Sequence, residues 1–253
     1  MSSVIIRADN PGPMTLDGTN TILVGDPGRG PVVVIDPGPD DDRHLRRVLA
    51  AAGSIAAIVI THRHLDHSAG APALAALAGC DVLAEDPAVR IGERGLTDGD
   101  RLTVAGAELR LAATPGHTSD SYSILITGDD GSVRLATGDM VLGRGTTVIM
   151  HPDGDVGSYL ASLEIMIALV REHGVTEILP GHGPVITDPA GVLAYYRQHR
   201  LERLDQVRAA LVAGARTPAE VVRAVYTDID ESVRPAAELS VAAQLAYLEP
   251  RNG

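Results

Sequence analysis

Short apolar runs separated by turn residues fill the first part of the chain. "NTILVG" (20–25) and "PVVVIDPG" (31–38) predict neighbouring strands joined by the Gly/Pro turn "DPGRG". The next segment, 40–53, has acidic residues at its start and Leu45, Val48, Leu49 and Ala52 at helical spacing. It predicts a helix that Gly53 ends. A buried strand over 56–60, a helix over 71–79 and a strand over 81–85 follow, giving the order ββαβαβ.

The pattern changes near residue 100. Strands alternate with Gly/Asp turns as far as Met150, and "DDG" at 129–131 predicts a hairpin turn. An amphipathic helix over 155–174 carries Val156, Leu160, Leu163, Ile167 and Val170 as its stripe. Residues 176–186 return to a strand and a Gly/Pro loop. Two such halves predict an α/β fold, a sandwich of sheets with helices outside. From 189 onward only helical patterns remain: 189–214, then 217–226 with Thr217 as N-cap and Pro218 at the first position, then 234–250. The predicted division is a catalytic unit, 1–188, and a small all-helical unit, 189–253.

Composition narrows the chemistry. Hydrophobic residues make up 45% of the 253, enough for a sizeable core. There is no Phe or Trp, so the core is built from Ala, Val, Leu and Ile. All 21 basic residues are Arg, which excludes a Schiff-base lysine and a P-loop lysine. A formal charge of −12 disfavours non-specific binding to nucleic acid or to anionic membranes. Cys80 is the only cysteine, so no intrachain disulfide forms. The apolar run near the start is Val4, Ile5 and Ile6 alone, too short for a signal peptide, and no later run spans a bilayer. The expectation is a cytoplasmic protein with no membrane contact.

Nine histidines are present, and three of them fall in "IVITHRHLDHSAG" (58–70). This stretch places His62, His64, Asp66 and His67 directly after a buried strand. Packing does not call for such a cluster, whereas imidazole and carboxylate are the ligands a borderline cation such as zinc accepts. In an extended segment His62 and His64 point the same way. A bend then turns Asp66 and His67 toward a second point, and Arg63 and Leu65 point away. His117 in "ATPGHTSDS", Asp139 in "LATGDMVLG" and His182 in "ILPGHGP" also follow apolar runs, in loops of small residues. Each alone reads equally as a turn or capping residue. Together with the first cluster they complete two coordination spheres.

"THRHLDH", "PGHT", "TGD" and "PGHGP", in this order, resemble the ligand motifs of the metallo-β-lactamase superfamily, over residues 20 to about 187. The resemblance implies an αββα sandwich. It implies one metal on His62, His64 and His117, a second on Asp66, His67 and His182, and Asp139 bridging them. Two Zn2+ are the expected cofactors, with manganese or iron also compatible. Two such cations, about 3.5–4 Å apart, share a water and lower its pKa toward about 7, and the bridging hydroxide attacks a carbonyl or phosphoryl group. Asp66 is the catalytic candidate, orienting that nucleophile. Asp36 matches a family aspartate that fixes a ligand imidazole, with a plain turn role as the alternative.

"NPGPMTLDGTNTILVG" (10–25), "GDMVLGRGTTV" (138–148) and the helical tail resemble the beta-lactamase-like protein 2 group. This implies a winged-helix-like C-terminal domain and endoribonuclease activity on single-stranded RNA. The chain stops at Gly253, soon after the third helix, leaving no room for a substantial wing. Arg197, Arg200, Arg203 and Arg208, with Tyr195 and Tyr196, are candidates to contact a phosphate chain and stack a base. Arg200, however, shares a stripe with Tyr196, Leu204, Val207 and Leu211, so a solvated, snorkelling set is the competing reading. Thr146 and Thr147 are candidates for substrate contact or for a turn. The expected function is a dinuclear zinc hydrolase, with RNA favoured as substrate. The alternatives are a thioester hydrolase, glyoxalase II-like or acting on CoA thioesters, and a non-catalytic metal-binding regulatory module. The full ligand set argues against the last, because structural zinc sites are closed by four ligands.

Overall fold

Two five-stranded sheets face each other and a layer of helices covers each outer side. The computed structural model describes residues 3–227 and 229–249. The first sheet runs β1 (Ser3–Arg7), β2 (Asn20–Val24), β3 (Val32–Ile35), β4 (Ile55–Val59) and β5 (Val82–Leu83), side by side in chain order. The second holds β6 (Arg101–Val104), β7 (Ala107–Ala113), β8 (Tyr122–Gly128), β9 (Val133–Gly138) and β10 (Glu177–Pro180), again in chain order across the sheet. Antiparallel pairs are joined by turns. The parallel pairs β3/β4, β4/β5 and β9/β10 are joined through helices, as a parallel crossover requires.

The strand "VVVI" shows why the layers form. Val33 and Ile35 face inward and meet Leu109, Leu111, Ile124 and Ile126 of the other sheet. Val32 and Val34 face outward and pack with Leu45 and Val48 of α1 (Asp42–Ala52) and Leu74 of α3 (Ala71–Ala78). A run apolar at every position is buried on both faces. On the far side, Leu125, Leu135 and Ile178 pack with Tyr159, Leu163 and Met166 of α4 (Val156–His173). The layer order is the αββα arrangement that the resemblance implied.

Local caps set the helix ends. Asp41 accepts from the backbone N–H groups of Arg43 and His44 at the start of α1, and Gly53 follows it at φ 67°. Asp155 caps α4 through the N–H of Ser158. The tail is helical: α5 (Pro189–Val212), α6 (Pro218–Val225) and α7 (Arg234–Leu248), with no strand after β10 among the described residues. Val207 and Ala210 of α5 form a separate small core with Val221, Val222 and Val241. The earlier turns of α5 instead place Leu193, Tyr196 and Leu204 in the core around α4. No helix among the described residues is long and apolar enough to cross a membrane.

Two expectations need correction, and one is met. Residues 3–7 form an edge strand that the pattern did not announce, because its apolar run is so short. The strands expected up to Met150 stop at Gly138, which takes φ 49° where its Cα lies against the Thr61 side chain. The following residues to Asp155 form a loop over the end of the sandwich. Finally, a short helical turn, α2 (Leu65–Ser68), supplies the bend expected after His64. Pro250, the expected end of the third tail helix, lies outside the described residues.

Candidate metal centre

The seven histidines and aspartates picked out as ligands come together at one end of the sandwich. His62 and His64 follow β4, Asp66 and His67 ride on α2, and His117 lies between β7 and β8. Asp139 directly follows β9, and His182 follows β10. Strand ends fix these residues because the strands are buried and cannot slide without exposing their apolar faces.

They fall into two sets. In the first, His64 Nδ1 lies 3.0 Å from His62 Nε2 and 3.1 Å from His117 Nε2. In the second, His182 Nε2 lies 3.1 Å from His67 Nε2 and 3.1 Å from the Asp66 carboxylate. Asp139 stands between them. Its Oδ1 is 3.4 Å from both His67 and His182, while Oδ2 turns toward His117 at 3.8 Å.

The outer nitrogens of four rings are held. His117 Nδ1 donates to the Val148 carbonyl at 2.8 Å, and His182 Nδ1 to the Gly18 carbonyl at 3.3 Å. His67 Nδ1 donates to Asp36 Oδ2 at 2.8 Å. Thr61 Oγ1 gives its proton to Asp36 at 2.6 Å and so accepts from His62 Nδ1 at 3.1 Å. With the proton outside on each neutral ring, the Nε2 lone pairs point inward at one another and at carboxylates. Asp139 Oδ1 is buried and has no hydrogen-bond partner. Inward lone pairs and an orphaned carboxylate oxygen fit divalent cations of the zinc class, which take imidazole nitrogen and carboxylate oxygen.

Electrostatics agree with positive charge belonging here. Burial, then the neighbouring imidazoles of His67 and His117, push His62 well below its ordinary value. Burial also pushes His117 down to about 4. Burial works against charge on His67 and His182 too, but Asp139 with Asp36 outweighs it at His67, which is held well above its ordinary value. Asp139 and Asp66 likewise raise His182 to about 9. Asp139 itself is held well below the usual carboxylate range, because His67 and His182 overcome the effect of its burial.

Asp36, His62 and His67 also lie within a metal's reach of one another. Asp36, however, spends both oxygens elsewhere. Oδ1 accepts from Thr61 N at 2.7 Å, and Oδ2 from Thr61 Oγ1 and His67. It stands behind His67 rather than facing the centre. Thr147 is buried, with Oγ1 3.3 Å from His117 Nδ1, and its carbonyl accepts from Arg200 Nη2. Thr146 lines the small cavity that reaches His117 and Asp139. Arg63 turns away and binds Asp86 and Asp153, and Leu65 is exposed.

The residues expected to meet RNA do not share one surface. Arg200 is 5% exposed and Tyr196 1%, so burial removes both from a nucleic-acid face. The Tyr196 hydroxyl accepts from Leu142 N, and the Arg200 guanidinium lies 5.2 Å over the Tyr159 ring. Arg197 pairs with Glu164 and Arg208 with Asp205. Sequence reasoning missed Gly181, whose absent side chain makes room for the centre: a Cβ there would meet Asp139 Oδ1 at 2.6 Å and His67 Cε1 at 2.7 Å. It sits in the "PGHGP" motif, and that was its only signal.

Residues 14–182 match the family model "Metallo-beta-lactamase superfamily", and residues 217–252 match "Beta-lactamase associated winged helix domain". The chain is 35% identical to a beta-lactamase-like protein 2 homolog of Drosophila melanogaster, over 98% of this chain and 88% of that one. It is also 35% identical to an atrochrysone carboxyl ACP thioesterase of Aspergillus chevalieri, over 91% of this chain and 75% of that one. Among solved structures, a metallo-beta-lactamase family protein from Thermus thermophilus superposes with a TM-score of 0.78 at 20% identity, covering 98% of this chain and 93% of that one. The chain belongs to the metallo-beta-lactamase superfamily and is a metal-dependent hydrolase. The superfamily binds divalent metals through His/Asp clusters.

Proposed function

From membership of the metallo-beta-lactamase superfamily, we propose that this protein is a dinuclear zinc-dependent thioester hydrolase. The observation that carries the reading is the position of Asp139, with one carboxylate oxygen toward each of two inward-facing sets. In this reading His62, His64 and His117 hold one cation, Asp66, His67 and His182 hold the other, and Asp139 binds both. When bound, the pair would acidify a water and polarise the attacked carbonyl.

The chain's own residues do the rest. Asp66 is the more exposed of the two carboxylates and is ionised, because His182 and His67 overcome the effect of its partial burial. It would orient the attacking water. Asp36, through His67, and the Val148 carbonyl, through His117, hold the rings in place. Thr147 packs beside His117 at the outer nitrogen of its ring. A thiolate, with a thiol pKa of about 8.5, leaves without a general acid, which suits a site whose titratable side chains are all committed to the two sets. The thioesterase named among the relatives supports the same class. In this reading residues 1–188 carry the reaction, and 189–253 are the second unit, whose described residues are mostly helical and pack on the core around α4 through α5 and α7.

Cleavage of single-stranded RNA is the second reading, favoured by the match of the tail to a winged helix domain. One experiment separates the two. Purified full-length protein is offered acyl-CoA and acyl-carrier thioesters and single-stranded RNA, with and without chelator. The expected result is chelator-sensitive thioester hydrolysis that disappears in an Asp66→Ala, His67→Ala double variant. Chelator-sensitive RNA cleavage lost in that variant, without thioester turnover, would move the assignment to RNA. Elemental analysis after reloading is expected to give two zinc ions per chain. One ion, or a preference for manganese or iron, would overturn that part.

A further inference from the structure

A second cavity, about 250 Å3, lies where the loop of Thr146 and Thr147 meets the helical tail. One face of α5 gives it a cationic side, Arg200 and Arg203, which are neighbours on the helix, with the imidazole of His199 beside Arg203. Met14, Val148 and Ala237 give it an apolar side. Among the described residues no Asp or Glu lines it, although the chain carries a formal charge of −12.

The cationic side has donors with nothing to bind. Arg200 gives one N–H to the Thr147 carbonyl, yet its Nε is fully buried with no hydrogen-bond partner. His199 Nδ1 is also buried and unpartnered. Arg203 lies 4.3 Å over the Tyr226 ring and, among the described residues, makes a hydrogen bond through Nη1, to Gln206. Arg203 is half-buried, and among the described residues its guanidinium has donors left over. An oxyanion in the cavity matches them.

The position of the cavity says whose oxyanion. Met14, Thr146, Thr147 and Val148 line this cavity and also the smaller one, about 110 Å3, that reaches His117 and Asp139. A single molecule can therefore occupy both, its reactive bond at the metal centre and its far end against α5. We propose that the cavity under the tail binds the anionic end, a carboxylate or a phosphate monoester, of the substrate. The assignment rests on the thioester hydrolase reading and narrows it to substrates carrying such a group. The volume suits a head group on a short apolar linker.

The test has two arms. In the first, chelator-treated full-length protein is titrated by calorimetry with glutarate and with inorganic phosphate. Saturable binding of either is expected, the tighter one naming the head group, and Arg203→Gln is expected to weaken it about tenfold, the scale of one charge-assisted hydrogen bond. Arg203 is substituted rather than Arg200, because Arg200 also holds the Thr147 loop. No saturable binding of either anion up to about 10 mM, a range beyond any built site, overturns the proposal. So does displacement of the anion by single-stranded RNA with affinity that grows with length. In the second arm, zinc-reloaded protein is given an acyl thioester ending in a carboxylate and its neutral isostere. A preference of about tenfold in kcat/KM for the anionic one is expected. Arg203→Gln is expected to erase it, and Arg208→Gln, an exposed side chain paired with Asp205, to keep it. Anion binding without turnover of any thioester would sink the hydrolase reading and leave the cavity assignment standing. Thioester turnover with neither anion binding nor preference would do the reverse.

Discussion

The carboxylate of Asp36 accepts a hydrogen bond from Nδ1 of His67 at 2.8 Å, and the Asp36 backbone sits at φ 51° to deliver it. A left-handed backbone is uncommon outside glycine and costs about 1 kcal/mol or more. Two hydrogen bonds from Thr61 to the same carboxylate, at 2.6 and 2.7 Å, hold the residue there. The strained turn at the end of β3 thereby fixes the orientation of a ring two elements away.

Asp36→Asn tests that link. Asn tolerates the left-handed backbone, so the fold is expected to survive with an unchanged circular dichroism spectrum. An amide cannot accept from both Thr61 and His67 with the geometry a carboxylate offers. The affinity for the second cation is expected to fall about 10–100-fold, the usual effect of losing such a partner. Competition against a chromophoric chelator measures it, and an unchanged affinity would reduce Asp36 to a turn residue.

Gly181→Ala addresses space rather than charge. The added methyl would press on Asp139 Oδ1 and His67 Cε1. Overpacking of this size costs about 1–3 kcal/mol. The expected signature is a zinc content that drops from two to one per chain after reloading, with secondary structure retained. Two ions bound at wild-type affinity would mean that the loop simply moves aside.

Most of the centre was legible in the sequence because its residues sit in dense motifs at the ends of apolar runs. Asp139 and His182 were findable only together with "THRHLDH". Of the partners that hold the rings, Asp36 had a signal and two others had none. Val148 and Gly18 act through backbone carbonyls, which no residue type announces. Arg200 was visible as a charge in an apolar stripe, a pattern that burial and snorkelling produce alike. The loop after Gly138 read as strands because two short apolar runs, 140–142 and 148–150, flank a Gly-rich turn, and only the fold shows that no strand pairs with them.

Metal-free protein is expected to respond to pH in two directions. His182 is raised from 6.5 to about 9, so its pairing with Asp139 and Asp66 is fully present below about 6.5 and is lost as pH rises through about 9. His117 is lowered to about 4, so stability that depends on its neutral form is present above about 6.5 and lost as pH falls toward 4. A bound cation replaces the proton on His182. The difference in Tm between zinc-loaded and metal-free protein is therefore expected to widen from pH 6.5 to 9. A difference that stayed flat over that range would contradict the assignment of His182.

Arg200→Met removes a buried charge that binds the Thr147 carbonyl and stacks on Tyr159. Leaving that carbonyl unpaired costs about 1–3 kcal/mol, a fall in Tm of roughly 3–10 °C for a chain of this length. Thr147 abuts His117, so zinc affinity of the first set is expected to drop as well. Differential scanning calorimetry with and without zinc reads both. A Tm loss with unaltered zinc affinity would confine Arg200 to a packing role.

Pro189–Val212 is a single unbroken run of helical backbone hydrogen bonds, about 36 Å long. It crosses from one core to another: Leu193, Tyr196 and Leu204 lie in the core around α4, Val207 and Ala210 among the tail helices. Between them the same helix holds Leu142 through the Tyr196 hydroxyl and the Thr147 carbonyl through Arg200. One rod thus braces the tail and the loop beside the metal centre together, so the two are parts of one rigid frame rather than a body and an appendage.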